Sequence, residues 1–466
     1  MDSRSAPFGD FMRVRSALCL AGALACLLPL GARAEVFSLN QALGLAYDTN
    51  PDLAGARAAV RAVDENVAIA NSAWRPAVNA AATYGIQHGA VSGFASSFNS
   101  HPLTGEVTVT QQIFRGGRTY AEVGRAIAQV RSARAELLDT ERSLLLNAAT
   151  AYLDVIRDEA VLNLNRENVR SLEAEYEGAR TQHGAGAITR TDVDQSEARL
   201  ARARSDLATA ERQLAASREA FSATIGRPAA TLDAAPALPG LPANVDSARG
   251  IGADRSPKIL QAKADWRAAD FAVADAIGAL LPSLSVSAQA EYLRDAAGTN
   301  VFATKSPQTI LSVTGQLNVP IYQGGAEEAT VRRAKELRGQ ALLAINTAQR
   351  QVWQDVSNAW EALRTAQLQI AANDAQVAAD VRALDGVKQE QAAGERSVLD
   401  VLNAQQELVA AEVAAAQARH DTTVAAYRLL WATGLLTAKD LRLSVQTYDP
   451  VTHYDEDATA WFGLGE

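Results

Sequence analysis

The chain repeats itself at a spacing of 208 residues, and this duplication restricts the possible folds more than any other feature. Residues 113–117 read Ile-Phe-Arg-Gly-Gly, and residues 321–325 read Ile-Tyr-Gln-Gly-Gly. Matching positions follow downstream, where Ala121, Val123, Arg125, Ala126, Gly186, Asp192, Val193, Leu200 and Ala203 recur as Ala329, Val331, Arg333, Ala334, Gly394, Asp400, Val401, Leu408 and Ala411. A repeat that stays in register over this length indicates a duplicated structural unit.

The duplication divides the chain into segments. We expect a first structural repeat at residues 35–226 and a second at residues 258–436, each with strands and a helical hairpin. Residues 227–257 carry five of the fourteen prolines, which predicts a linker with short irregular structure. Residues 437–466 are predicted to form an acidic, less regular tail.

The first 34 residues are typical of a secretory signal peptide. Arg13 and Arg15 precede an apolar run at residues 17–30, and Ala32-Arg33-Ala34 matches an A-x-A cleavage site. A transmembrane anchor is one alternative, although the run is short for a bilayer span. A lipoprotein cleaved before Cys26 is another, although the neighbouring residues do not match a lipid-attachment sequence.

Composition excludes several classes of protein. Both cysteines lie within the predicted signal peptide, so the mature chain is expected to need no disulfide. Removal of residues 1–34 leaves 40 basic and 51 acidic residues, and a net charge of −11 argues against nucleic acid as a partner. After the signal, no apolar stretch reaches the roughly 18 residues of a transmembrane helix. If the mature chain crosses a membrane, it is expected to do so with strands.

Four segments show the period-two alternation of β-strands. They are residues 77–86, 106–113, 283–292 and 311–319. Runs of about ten such residues fit a tilted transmembrane strand, with one face toward lipid and one toward a polar lumen. A half-buried sheet in a soluble sandwich alternates in the same way. Long loops rich in Gly, Ser and Asn, predicted at residues 87–105 and 293–309, favour the membrane alternative.

Four strands cannot close a barrel, since a single-chain barrel needs about eight. Open strand edges in lipid would leave backbone groups without hydrogen bonds, at a cost of several kcal/mol each. We therefore expect other chains to complete the sheet, so that an oligomer is required.

Two further segments predict unusually long helices. Neither residues 117–183 nor residues 325–394 contain proline, and a helix of that length would extend roughly 100 Å. Apolar residues recur every seven positions at Val193, Leu200, Leu207, Leu214 and Phe221, as in coiled coils. Glycines mark the hairpin tips at Gly184, Gly186 and Gly394. The sequences Thr189-Arg-Thr-Asp192 and Ser397-Val-Leu-Asp400 then predict capping boxes that restart the helix.

The sequence offers no catalytic or cofactor chemistry. The five histidines are scattered, and no pair has the spacing of metal ligands. P-loop, dinucleotide-binding and HExxH motifs are absent from the sequence. We therefore expect neither an enzyme nor a cofactor-binding protein.

The repeated strand–helix layout, the aromatic-x-Gly-Gly joints and the two tip segments resemble the TolC family of outer-membrane efflux and export ducts. The resemblance extends over essentially the whole mature chain, and the segment at residues 394–404 is its most specific part. It implies an α+β membrane protein in which three chains form a 12-stranded β-barrel, continued by a periplasmic coiled-coil barrel. A homotrimer in outer-membrane lipid, a periplasmic adaptor and an inner-membrane transporter of the ABC or RND type are the implied partners. The implied location is the outer membrane of a Gram-negative bacterium, with the helices in the periplasm.

The resemblance also implies a gate at the periplasmic helix tips. In such proteins a residue matching Asp400 faces the lumen as an acidic ring, and one matching Arg396 ties neighbouring hairpins together, partly through Asp192. From sequence alone, helix capping is the favoured role for both aspartates, and it does not exclude the ring. A second acidic ring is common at the position of Asn403, and a gating tyrosine is common at the position of Gln391. These two departures predict that cations block the channel less strongly and that the contacts between neighbouring hairpins differ.

Taken together, the sequence predicts a passive exit duct for drug efflux or for type I secretion of polypeptides. The adaptor is expected to contact the tips at Gly184, Gly186 and Gly394. The alternative from another class is a soluble periplasmic coiled-coil adaptor or scaffold protein.

Overall fold

The computed structural model describes residues 37–90, 97–229, 231–234, 238, 240–295, 307–457, 461 and 463. The predicted signal peptide at residues 1–34 lies outside the described residues. The first half contains α1 (Leu39–Thr49), α2 (Pro51–Ser72), β1 (Ala77–Tyr84), β2 (Gln87–Ala90), β3 (Ser97–Ser100), β4 (Leu103–Arg115), α3 (Arg118–Gly184) and α4 (Arg190–Ile225). The second half contains α5 (Val245–Arg255), α6 (Pro257–Gly278), β5 (Ser283–Arg294), β6 (Gln308–Asn318), α7 (Ala326–Ala392), α8 (Val398–Thr433) and α9 (Pro450–Asp457).

The duplication predicted from the sequence is visible in the helix bounds. Helices α3 and α7 both have 67 residues, and α4 and α8 both have 36. Each long helix begins after a glycine in the left-handed conformation, Gly117 with φ of 80° and Gly325 with φ of 79°. At about 1.5 Å per residue, α3 and α7 each extend about 100 Å.

The four predicted strands form one antiparallel sheet in the order β1-β4-β5-β6. Because residues paired in register lie on the same face of a sheet, the register shows the chemistry of each face. One face carries the apolar rows Val78, Val109, Ala288 and Val313, and Ala80, Val107, Ala290 and Leu311. The opposite face carries the polar rows Asn79, Thr108, Gln289 and Ser312, and Ala77, Thr110, Ser287 and Thr314.

The apolar face of the sheet is open in the single chain. Val78 is 65% exposed, Leu311 80% and Val313 75%. Within the part of the chain that the structure describes, the outer strands β1 and β6 each pair on one side only. The alternation therefore produces a sheet with one apolar face, one polar face and two open edges.

The predicted loop at residues 87–105 is wrong in detail. It contains the antiparallel pair of β2 and β3, in which Gln87 pairs with Ser100 and His88 with Asn99. Strand β4 also begins within it, at Leu103. At the other predicted loop, β5 continues to Arg294 and β6 begins at Gln308, while residues 296–306 lie outside the described part.

The largest core cluster lies where α1, α3, α4 and α8 meet. Tyr152 on α3 is fully buried there and packs against Phe221 of α4, with ring centroids 6.4 Å apart. Its hydroxyl donates to the carbonyl oxygens of Phe37 at 2.8 Å and Asp233 at 3.0 Å. Burial, followed by the Asp233 carboxylate, raises the pKa of Tyr152 to about 12. The phenol therefore stays protonated and fastens the start of the described chain and the segment after α4 to the long helix.

The Pro-rich segment at residues 227–257 is more regular than its composition predicts. It contains the 11-residue helix α5, which Asn244 caps by accepting from the backbone N–H of Ser247. The tail after α8 also contains regular structure, since α9 spans Pro450–Asp457. Among the described residues, no helix combines the length and apolar character of a membrane span.

Candidate functional site at the hairpin tips

The two hairpin tips are built in the same way. After α3 the chain turns through Gly186, with φ of 77°, and after α7 it turns through Gly394, with φ of 84°. Both φ values lie in the left-handed region, which favours glycine because it has no Cβ. Gly184, the third residue predicted to lie at a tip, is the last residue of α3.

Both predicted capping boxes are present. The backbone N–H of Thr189 donates to the Asp192 carboxylate at 3.0 Å, and the N–H of Asp192 donates to Thr189 Oγ1 at 3.3 Å. Ser397 and Asp400 repeat this arrangement with the same distances. Each pair satisfies two N–H groups that a helix start otherwise leaves without a partner.

Asp400 combines its capping role with an exposed negative charge. Hydrogen bonds from the Ser397 side chain and backbone, with a smaller effect of the Arg396 charge, lower the pKa of Asp400 from its usual value. A lowered pKa keeps the carboxylate ionised at neutral pH and into the acidic range. The same residue is therefore a helix cap and a fixed anionic group at the tip.

Arg396 has a partner in its own hairpin. Its Nε donates to the carboxylate of Glu390 at 2.9 Å, across the turn between α7 and α8. Asp192, its predicted partner, is held within its own capping box. In the single chain, then, Arg396 closes the second tip on itself.

Asn403 lies at a contact between the two hairpins. Its side-chain oxygen accepts a hydrogen bond at 2.8 Å from Arg199 Nη2 of α4, and Gln406 accepts another from Arg199 Nη1. Arg199 was not among the functional residues predicted from the sequence. The one available signal is its place beside Leu200, which occupies a position of the heptad pattern.

Apolar contacts hold α8 to the first hairpin near the same point. Val398 and Leu402 of α8 belong to one buried cluster with Val169, Leu172, Leu200 and Ala203 of α3 and α4. A cleft of about 550 Å³ lies beside this cluster, between α3, α4 and α8, and Arg199, Asn168 and Gln405 contribute to its walls. The tip of α8 is thus anchored both by packing and by the Arg199 hydrogen bonds.

The described residues do not contain a group of three or more His, Cys, Asp and Glu side chains arranged to hold a metal ion. The functional groups at the tips are a capping carboxylate, a guanidinium and amides. Such groups are suited to electrostatic control of passage and to contacts between helices.

The chain is similar in sequence to known outer-membrane proteins. The chain is 36% identical over 427 residues to the outer membrane efflux protein BepC of Brucella suis, covering 92% of each chain. It is 24% identical to the outer membrane protein TolC of Escherichia coli, covering 87% of this chain and 83% of the relative.

Solved structures of outer-membrane channels share the fold. The CmeC channel of Campylobacter jejuni superposes with a TM-score of 0.76 at 18% identity, covering 90% of this chain and 89% of that one. The open state of the MtrE channel of Neisseria gonorrhoeae gives a TM-score of 0.71 at 21% identity, covering 85% and 88%.

The family model described as outer membrane efflux protein matches residues 42–227 and 253–435. These two segments contain the duplicated halves and both tips, and they make up most of the chain. The protein is therefore an outer-membrane protein that belongs to the outer membrane efflux protein family.

Proposed function

We propose that three copies of this chain form the exit duct of a tripartite efflux or type I secretion system. The observation that carries the proposal is the four-stranded sheet with two open edges and one apolar face. Pairing of β6 with β1 of the next chain would satisfy both edges, and three copies would give a closed barrel of 12 strands. Closure removes the unpaired edges that a bilayer does not tolerate.

The helices supply the second part of the proposal. Helix α3 packs between α2 and α6, whereas α7 packs against α6 and has one exposed flank. The exposed side chains near the start of α7 include Leu337 and Leu343. Contact with α2 of the next chain would cover this flank, so that the long helices form a periplasmic tube. An adaptor at the tips and an inner-membrane transporter of the ABC or RND type would supply the energy, while the duct itself is passive.

The tip residues form the gate in this proposal. Threefold symmetry would place three Asp400 carboxylates around one axis, as a ring that attracts cations. Arg396 would link neighbouring hairpins, partly through Asp192, and Asn403 replaces a second ring of charge. The Arg199–Asn403 hydrogen bond adds a contact that holds α8 against the first hairpin.

Substitution of Asp400 separates its charge from its capping role. We expect Asp400→Asn to keep a capping acceptor while it removes the ring of charge, and Asp400→Ala to remove both. In planar-bilayer recordings, both variants are expected to need about tenfold more multivalent cation for half-block than the wild type. Asp400→Ala is expected to lower the melting temperature more than Asp400→Asn, because it also removes the acceptor for the Ser397 N–H. If multivalent cations block Asp400→Asn as strongly as the wild type, the ring hypothesis is wrong and Asp400 acts as a helix cap alone.

Fractionation tests the duct itself. We expect the protein in the outer membrane as a trimer whose electrophoretic mobility changes on heating. The earlier alternative, a soluble periplasmic scaffold, predicts recovery in the soluble periplasm, and such recovery would overturn the proposal. Deletion of the gene, followed by profiling of secreted proteins and of drug sensitivity, distinguishes polypeptide export from drug efflux.

A further inference from the structure

A cluster of charged residues lies far from the tips, where the two hairpins of one chain meet. His420 on α8 has a side chain that is 8% exposed, between two carboxylates. Its Nε2 is 2.9 Å from Asp154 Oδ1 on α3, and its Nδ1 is 2.8 Å from Asp421 Oδ1 on its own helix. The contact to Asp154 is short, although the ring N–H is not well aligned on the oxygen.

The number of donors on the ring decides which form of His420 fits this position. A neutral imidazole has one N–H donor, and its other nitrogen is an acceptor. Because carboxylate oxygens face both nitrogens, a neutral ring would direct a lone pair at one of them. The protonated ring carries an N–H on each nitrogen and places a positive charge between the two carboxylates. The geometry therefore selects the imidazolium.

Other charged groups surround the histidine. On α3, Arg157 forms an ion pair with Asp154 at 2.7 Å and donates a hydrogen bond to Asp158 at 2.8 Å, and Asp158 accepts from Ser217 of α4. On α8, Gln417 donates to Asp421 at 2.8 Å, while Arg419 pairs with Asp374 of α7 at 2.9 Å. Burial and the Arg157 charge oppose protonation of His420, but the contacts with Asp154 and Asp421 outweigh them and raise its pKa.

We propose that His420 is a pH-dependent clasp between the two halves of the chain, closed when the imidazole is protonated and weakened when it is neutral. The clasp joins α8 to α3. It has no counterpart between α4 and α7, because the equivalent residues 208 positions away are Arg212 and Ala362. The proposal concerns the chain itself and holds whether or not the assembled protein is a duct.

The direction of the effect follows from the pKa values. The pKa of His420 is raised in the folded protein, so its stabilising effect is complete below the ordinary histidine pKa of about 6.5. That effect is lost as the pH rises through the raised value. The pKa of Asp154 is lowered, despite burial, by His420 and Arg157, so its effect is lost only in acid. The clasp is therefore tightest in mild acid and opens toward alkaline pH.

The clasp also bears on the tip. His420 lies 20 residues beyond Asp400 on the same helix, a distance of about 30 Å along its axis. An alkaline medium would weaken this one contact between α8 and α3, while the buried cluster around Leu402 and the Arg142–Trp431 contact stay in place, so the Asp400 end would gain a limited freedom to move. This consequence for gating, unlike the clasp, rests on the proposed function.

Hydrogen exchange of the full-length protein tests the clasp. After correction for the intrinsic pH dependence of exchange, we expect protection of residues 412–424 to fall about tenfold from pH 5.5 to pH 8.5, as for loss of one charge-assisted hydrogen bond. His420→Gln is expected to show low protection at both values. His183→Gln, which changes an exposed histidine at the first tip, is expected to behave like the wild type.

Asp154→Asn provides a second variant, since it keeps the histidine and removes the carboxylate on α3. In this variant, the difference in protection between pH 5.5 and pH 8.5 is expected to fall to a small fraction of the wild-type difference. Protection that does not change with pH in the wild type, or a full step in folded His420→Gln or Asp154→Asn, would overturn the proposal. If these exchange results are obtained but the protein forms no conducting trimer, the clasp proposal is supported and the proposed duct is contradicted.

Discussion

Gly116→Ala is expected to destabilise the protein by about 3 kcal/mol or more, the largest effect we expect from a single methyl group. Gly116 has φ of 63°, which costs an L-residue about 1–2 kcal/mol. A Cβ there would also lie 2.2 Å from the carbonyl oxygen of Gly278 and 2.8 Å from Leu281 Cβ. Neither group is the end of a flexible side chain, so the end of α6 would have to move.

The duplication supplies the matched control. Gly324 occupies the equivalent position with φ of 68°, and a Cβ there would have no neighbour within 4 Å among the described residues. In the proposed trimer, Ser72 of the next chain would contact Gly324 in the way that Gly278 contacts Gly116 within the chain. Because serine has a Cβ and glycine has none, we expect the two helices to pack less closely there. Gly324→Ala is therefore expected to cost only about 1–2 kcal/mol. Thermal unfolding of both variants checks the difference, and equal losses would contradict the role given to Gly278.

Arg142→Ala is expected to cost about 2–4 kcal/mol, because the guanidinium is almost fully buried and connects α3 to the end of α8. Arg142 Nη1 donates to the carbonyl oxygen of Trp431 at 2.8 Å, and the guanidinium lies 5.2 Å from the centroid of the Trp431 ring. Its Nη2 pairs with Asp139. Alanine would leave a cavity and remove the donor to that carbonyl.

The repeat again provides a control of the same residue type. Arg350 is equivalent to Arg142 but is exposed in the single chain, so within one chain its substitution is expected to change stability by less than about 0.5 kcal/mol. Denaturant unfolding of Arg142→Ala and Arg350→Ala in detergent compares the two. Similar losses in both would show that the buried contacts with Trp431 contribute little.

The elements with strong local periodicity were predictable from the sequence. Strand β5 begins at Ser283 as predicted, because its polar and apolar residues alternate without interruption. The tips were equally clear, since Thr189 and Asp192 have the three-residue spacing of a capping box at the start of a helical segment. Both features depend on neighbours in the sequence, and local patterns report such neighbours well.

The elements that were not predicted have compositions typical of loops. Strands β2 and β3 contain Gly, Ser and Asn, which predict a loop, although their backbones pair. Helix α5 lies among prolines, although Asn244 gives it a cap. Pairing between β2 and β3, and packing of α5 against α7 and α8, outweigh these weak local preferences.

Contacts between distant residues could not be predicted. Arg142 and Trp431 are 289 residues apart, and Arg199 and Gln406 are 207 apart. A heptad pattern shows which face of a helix is buried, but not which helix covers it. For the same reason no role was predicted for His420, since its partner Asp154 lies on the other half of the chain.

Closure of the tube between chains can be tested at one joint. Within a chain, Arg118 at the start of α3 pairs with Asp275 near the end of α6 at 2.8 Å. The equivalent residues are Ala326 on α7 and Ile69 on α2, since α2 and α6 are offset by 206 residues. Ile69 is 66% exposed in the single chain. In a closed trimer, Ile69 of one chain would face Ala326 of the next.

The most direct measurement is therefore cysteine crosslinking with a short bismaleimide reagent, since both native cysteines lie in the predicted signal peptide. The Ile69→Cys, Ala326→Cys double variant is expected to give covalent dimers and trimers on denaturing gels, whereas either single variant gives monomers. Arg118→Cys with Asp275→Cys is the control and is expected to crosslink within one chain. A folded, membrane-inserted double variant that stays monomeric, while the control crosslinks, would contradict the closed trimer on which the proposed duct depends.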